Sequence, residues 1–310
     1  MTSREPVSVG GRRLELSNLE KVLYPSVGFT KADVIDYYSR IAPALLPHLK
    51  GRALTLKRYP NGVASGYFYE KRCPPGRPPW IRTEAVYSER RRGPIDYCLA
   101  DDLPSLVWVA NLADLELHTS LSKAGHPDRP TMVVFDLDPG PPADVMACAQ
   151  VALRLRELLD GLGLRSFPKT SGSKGLQVYV PLNEPHVGYE ATKSFAHAVA
   201  LILEREQPRA VVAKMARSLR SGRVFVDWSQ NDRHKTTVCV YSLRAMERPT
   251  VSTPVTWEEV ESAVTRGSPK SLAFEAAQVQ ARVKRQGDLF APVEALRQKL
   301  PRLHQASGVD

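Results

Sequence analysis

Residues 131–140 read TMVVFDLDPG, an apolar run of strand length that ends in two carboxylates and is cut off by Pro139 and Gly140. Valine and phenylalanine favour extended backbone, and a Pro-Gly pair ends it. Side chains alternate along a strand, so Met132, Val134, Asp136 and Asp138 line up on one face. Two carboxylates side by side repel unless a cation, a proton or water lies between them. Oxygen ligands at a strand end suit Mg²⁺ or Mn²⁺. The plainer alternative is that one aspartate caps the turn and the other is solvated.

The segments around this strand alternate in type. Residues 30–49, TKADVIDYYSRIAPALLPHL, predict a helix capped by Thr30, with Pro43 placed to kink or end it. RALTLKRY predicts a strand, CPPGRPPW a stiff irregular connection, and SERRRGP (88–94) an exposed basic loop. LPSLVWVANLADLELHTSL predicts a helix that turns into a strand near Leu115–Thr119. Helices are expected at 142–162 and 189–206, strands at GLQVYVPL, RVFVDWS and TTVCVYSL, and a charged helical tail from about 257. The pattern is α/β in the mixed α+β sense.

The chain has 310 residues, enough for one large domain or two small ones. No stretch reaches the roughly 18 apolar residues of a membrane span, and the N-terminus lacks the apolar core of a secretory signal. Cys73, Cys98, Cys148 and Cys239 lie far apart without a C-x-x-C pair, which predicts neither a zinc finger nor a disulfide framework and points to a reducing cytoplasm. Lys and Arg outnumber Asp and Glu by 43 to 33. That balance is compatible with a polyanionic partner but does not demand one.

Further motifs lie in the same half. Asp227 ends a second apolar strand in GRVFVDWSQND, and three carboxylates on two neighbouring strands could hold two cations. KTSGSKG (169–175) offers glycines, the hydroxyls of Ser171 and Ser173, and the charges of Lys169 and Lys174. Such a turn can cradle phosphate, though it is no P-loop and a plain Gly/Ser turn is the blander reading. Lys214, Arg217, Arg220 and Arg223 recur every third residue, either as a solvated helix face or as a basic ridge. Arg244 follows another apolar strand, where a guanidinium could clamp phosphate. Tyr67, Phe68 and Tyr69 sit beside Lys71 and Arg72, as a stacking platform or with at least one of them in the core.

Taken in order, VVFDLDPG, TSGSKGLQVYVPL, VFVDWSQND and YSLRA resemble the polymerase domain of the bacterial DNA ligase D family, within the archaeo-eukaryotic primase superfamily. LSNLEKVLYPSVGFTKADVIDYY and LTLKRYPNG are similar to the same family. The resemblance runs from about residue 10 to about 300. It implies a single primase-polymerase domain: an N-terminal αβ subdomain (about 10–128), a catalytic core (about 129–256) around a central mixed or antiparallel sheet flanked by helices, and a helical segment (257–300). It implies that Asp136, Asp138 and Asp227 are catalytic and bind two Mn²⁺ or Mg²⁺ ions. Lys57, His118, Ser171, Lys174, Gln177, Arg220, Gln230 and Arg244 would face the nucleotide, an NTP or dNTP. Lys21 and Lys31 would form a pocket for the 5′-phosphate of a DNA end or gapped duplex, and Phe68 and Tyr69 would stack on template bases. Family members prefer ribonucleotides and fill gaps in non-homologous end joining with Ku and a DNA ligase.

Two departures stand out. Related primases usually carry histidine where this chain has Gln177, which can donate a neutral hydrogen bond but cannot become cationic. No K-x-D-G ligase nucleophile occurs, which leaves a stand-alone polymerase and an excised domain both open. Two other readings compete. A catalytically weak 5′-phosphate end-binding module would keep the basic surface without the chemistry. A haloacid-dehalogenase-like phosphatase would use an FDLDGT-like motif with a nucleophilic first aspartate, but Pro139 and Gly140 replace its Gly-Thr.

Overall fold

A computed structural model describes residues 4–89 and 91–301. The Met132–Pro139 strand is the middle of a five-stranded sheet. Its two faces go different ways. Val133, Phe135 and Leu137 pack against the helices Val145–Gly161 and Tyr189–Glu206, in a core with Val178 and Val199. Met132 and Val134 belong to a second core, built on the helices Lys31–Leu49 and Leu103–Asn111. The strand is therefore apolar on both faces until Asp136, where the second face opens.

The sheet order is Phe167–Thr170, Leu176–Pro181, Met132–Pro139, Val224–Asp227, Val211–Val212. All neighbours are antiparallel except the last pair. Register places Lys169 opposite Gln177, Gln177 opposite Asp136, and Asp136 opposite Asp227. These four residues make one row across four strands. A second, six-stranded antiparallel sheet runs Thr237–Val238, Asp114–Thr119, Leu54–Arg58, Gly93–Cys98, Thr83–Ser88, with Phe68–Glu70 also on Leu54–Arg58.

Several expectations need correction. The first helix runs through Pro43 and Pro47 to Leu49 without ending, with Thr30 and Asp33 forming a reciprocal capping box. The helix expected at 142–162 begins at Val145, because Asp144 caps it by accepting from the Met146 and Ala147 N–H groups. TTVCVYSL forms a ladder only at Thr237–Val238. Tyr241 then takes a positive φ of 62°, and Leu243 N–H donates to the Tyr38 hydroxyl instead of to a strand. The Lys214–Arg223 segment is no helix face; only a short 3₁₀ turn forms, at Arg217–Leu219. SERRRGP does give an exposed loop: Glu89, Arg91 and Arg92 turn the hairpin between Thr83–Ser88 and Gly93–Cys98, with Arg90 outside the described residues. The expectation of no disulfide also fails. Cys73 and Cys98 are bonded, with Cα atoms 4.9 Å apart, because Cys73 N–H donates to Asp96 O and aligns the proline-rich connection with the Gly93–Cys98 strand.

Candidate active site and nucleotide cleft

A cleft of about 510 Å³ opens between the two sheets at the acid end of the Met132–Pro139 strand. Of the residues singled out in the sequence, Tyr69, Lys71, His118, Asp136, Asp138, Ser171, Ser173, Lys174, Gln177, Gln230 and Arg244 line it. Burial and then the Asp138 charge push the Asp136 carboxyl up to about 7, while the Gln177 amide opposes this by donating to Asp136. Tyr179 hydroxyl donates to Gln177 Oε1 at 3.3 Å and so fixes which end of the amide faces Asp136. Asp138 is also raised, by burial and then Asp227, against the pull of Arg220 and Arg244. These carboxylates carry more negative charge than the protein offsets.

Asp227 lies opposite Asp136 in register but does not line the cleft. Its Oδ1 accepts from Ser229 N–H at 3.0 Å and from the Ser229 hydroxyl, and its Oδ2 accepts from Gln230 Nε2 at 2.8 Å. No group of three His, Cys, Asp or Glu among the described residues is arranged to hold a metal ion. The chemistry of the donors nonetheless fits a divalent cation: hard carboxylate oxygens at one strand end, two of them raised in pKa by burial first and then by a neighbouring carboxylate.

The glycine loop closes on itself. Ser171 Oγ accepts from Ser173 N–H at 3.2 Å and Gly175 N–H at 3.1 Å, so those two amides are not free for phosphate. Gly172 adopts φ +69°, and an added Cβ would meet Val251 C at 2.6 Å. Lys174 reaches the cleft, but Lys169 does not. Lys169 is fully buried and donates to Ser252 Oγ at 2.6 Å; burial lowers its ammonium pKa to about 7, with Cys239 and Asp136 pulling it back up.

Arg220 stacks on the Phe225 ring at 3.7 Å, and Phe225 is the register partner of Asp138. Lys57 is held at 3.0 Å by Glu116 and lies 4.5 Å from the Tyr67 ring centroid. Tyr67, Phe68 and Tyr69 are all exposed, so none of the three is a core residue. Lys21 and Lys31 are joined by a backbone bond from Lys31 N–H to Lys21 O, away from the cleft lining. Lys31 is buried and donates to Ser17 O at 2.6 Å; burial, then Lys21 and Arg58, bring it down to about 8. Sequence reasoning missed His234 and Lys235, which also line the cleft, and Glu116, which does not. NDRHK (231–235), four residues beyond Asp227, was the available signal for His234 and Lys235.

The family model described as LigD, primase-polymerase domain, matches residues 30–290. The chain is 41% identical over 296 residues to the multifunctional non-homologous end joining DNA repair protein LigD of Mycobacterium tuberculosis, covering 93% of this chain and 38% of that protein. It is 33% identical over 278 residues to the bifunctional non-homologous end joining protein LigD of Bacillus subtilis, covering 90% of this chain and 44% of that one. A solved structure, the polymerase domain from Mycobacterium tuberculosis ligase D in complex with DNA, matches with a TM-score of 0.85 and 41% identity, over 92% of this chain and 99% of that one. The chain belongs to the LigD primase-polymerase domain family. It spans less than half the length of these curated relatives. Family membership displaces the phosphatase reading. No helix among the described residues is long and apolar enough to cross a membrane.

Proposed function

We propose that this domain is a DNA-dependent nucleotidyltransferase that extends primer 3′ ends and fills short gaps at DNA breaks, with ribonucleotides preferred. The observation that carries the reading is the pairing of Asp136 with Asp227 in register, with Asp138 two residues on, beneath a cleft lined by Lys71, Lys174, Lys235 and Arg244. Four cations facing two carboxylates suit a triphosphate and its counter-ions. Asp136, Asp138 and Asp227 would hold two Mn²⁺ or Mg²⁺ ions, which when bound supply activation of the attacking hydroxyl and stabilisation of the leaving pyrophosphate.

The chain's own residues do the rest. Lys174 and Arg244 neutralise phosphate oxygens, with Arg220 beside Asp138. Gln230 and Ser229 orient Asp227. Gln177 keeps a neutral donor on Asp136, in place of the histidine of related primases. Lys21 and Lys31 take the 5′-phosphate of a DNA end, and the exposed Phe68 and Tyr69 stack on template bases. The relatives named for non-homologous end joining support a cytoplasmic role at nucleoid DNA with Ku and a DNA ligase as partners.

The test is primer extension on a short gapped duplex bearing a 5′-phosphate, with Mn²⁺ and either NTPs or dNTPs. Extension that favours NTPs and vanishes in Asp138→Ala, while DNA-end binding persists, is the expected result. Tight phosphate-dependent binding without extension by the wild type would instead make the chain an end-binding module.

A further inference from the structure

Glu116 sits in the Asp114–Thr119 strand, among the leucines of LELHT, with its carboxylate only 3% exposed. A carboxylate that deep needs partners, and it has an unusual number. Oε1 accepts from Lys57 Nζ at 3.0 Å, from Ala245 N–H at 3.1 Å and from the Tyr59 hydroxyl at 3.4 Å. Oε2 accepts from His118 Nε2 at 3.0 Å and lies 3.3 Å from Arg244 Nε, an ion pair without hydrogen-bond alignment. Arg244 Nη1 meanwhile donates to Ser171 O at 2.7 Å. One buried anion thus touches Lys57, His118 and Arg244. They come from two strands and a loop, and the latter two line the cleft.

We infer that Glu116 is a positioning residue for nucleotide binding: it holds Lys57, His118 and Arg244 in place before any triphosphate arrives. The inference rests on the polymerase reading given above. Without a shared counter-charge, the cations at this spot repel one another and retreat to solvent. With it they are fixed at low reorganisation cost, which is what a preorganised anion site requires. Two side-chain placements follow from strand register alone. Lys57 is the direct cross-strand partner of Glu116, and His118 lies two residues on, upon the same face. Burial works against the charge on Glu116, but the bond from His118 and the Arg244 and Lys57 charges hold its carboxyl well below the usual range. For His118 the balance goes the other way, with burial first and a net lowering, so the ring is neutral near pH 7. A neutral ring beside an ionised carboxylate carries its proton on Nε2, which leaves Nδ1 as its acceptor.

The test uses the intact chain and does not depend on turnover. ATP with Mg²⁺ and a 5′-phosphorylated gapped duplex are titrated separately into wild type, Glu116→Gln and Glu116→Ala, with thermal midpoints and ring-¹⁵N NMR on each. The expected result is an ATP affinity about tenfold or more weaker in both variants, as for loss of other orienting partners, with DNA affinity kept. The His118 Nε2 proton, held by Glu116 in the wild type, is lost from the Glu116→Ala spectrum. Lys57→Met added to Glu116→Gln then weakens ATP binding less than Lys57→Met alone, because coupled residues are non-additive. Wild-type ATP affinity in Glu116→Gln would overturn the inference. So would parallel loss of ATP and DNA binding with a collapsed midpoint, which would make Glu116 a folding residue. A wild type that binds DNA ends but no ATP is a different failure, that of the polymerase reading itself.

Discussion

Gly175→Ala tests whether the glycine loop must lie against the carboxylate strand. Gly175 keeps an ordinary φ, so only contact decides the outcome. A Cβ there would sit 2.0 Å from Leu137 O, whereas ordinary contact begins at 3.4 Å. Leu137 separates Asp136 from Asp138, and its register partner is Leu176, the residue after Gly175. The loop or the strand end must therefore give by about 1.4 Å. Overpacking of this kind costs about 1–3 kcal/mol, which lowers the thermal midpoint by roughly 1.5–5 °C in a chain of this size. A displacement near 1 Å in a reacting constellation costs about 100-fold in rate. Scanning fluorimetry and primer extension with Mn²⁺ read the two effects. Gly161→Ala is the control: it ends the Val145–Gly161 helix, nothing lies within 4 Å of its Cβ, and alanine suits a helix better by up to about 1 kcal/mol. A Gly175→Ala protein that matches wild type in both midpoint and extension would refute the claim that this contact sets the loop.

Reducing the Cys73–Cys98 bond, which spans 25 residues, should remove about 3.5 kcal/mol of stability by the chain-entropy estimate; urea unfolding with and without a phosphine reductant checks this. The buried cluster of His48, Asp288 and Glu294 should give a stability maximum in mildly acidic solution. Burial pulls the His48 pKa down, but its bonds to Asp288 and Glu294 raise it overall, so its contribution is full below about pH 6.5 and fades as pH rises through the raised value. Asp288 and Glu294 are both lowered despite burial, so theirs is present above about pH 4.5 and fades on acidification. Thermal midpoints measured across pH should peak between those limits, and His48→Gln should remove the fall on the alkaline side.

The acids were legible because alternation is local. Apolar residues up to Asp136, a Pro-Gly stop and a second strand ending in Asp227 need no tertiary information. Nor does the Thr30 cap or the 189–206 helix. Other features were hidden because their causes are non-local. Glu116 reads in sequence as a charged residue at the turn from helix to strand, and only the Lys57 register reveals that it faces inward. Cys73 and Cys98 lack a paired spacing, and what joins them is a single backbone bond to Asp96. TTVCVYSL has the composition of a strand. Its last residues spend their hydrogen bonds on Tyr38 and Ser252 instead: Tyr241 N–H donates to Ser252 O. Lys169 belongs to a motif rich in glycine and serine and shares the row of Gln177 and Asp136, yet it is fully buried and bonded to Ser252 rather than open to the cleft.

The two-sheet design explains why acids and cations arrive from different parts of the chain. The five-stranded sheet contributes Asp136, Asp138 and the Ser171 loop, while the six-stranded sheet contributes Lys57, Glu116 and His118. Arg244 belongs to neither and touches both, through Ser171 O on one side and Glu116 on the other. A guanidinium placed so ties the Ser171 loop to the opposite wall without covalent linkage. Its two anchors also differ in kind, one a neutral carbonyl and one a charge. A triphosphate competes with the charge far more than with the carbonyl. On nucleotide binding Arg244 should therefore keep its hold on the Ser171 loop and loosen its hold on Glu116. Lys57 and His118 remain to satisfy the carboxylate, so the exchange leaves no buried charge alone.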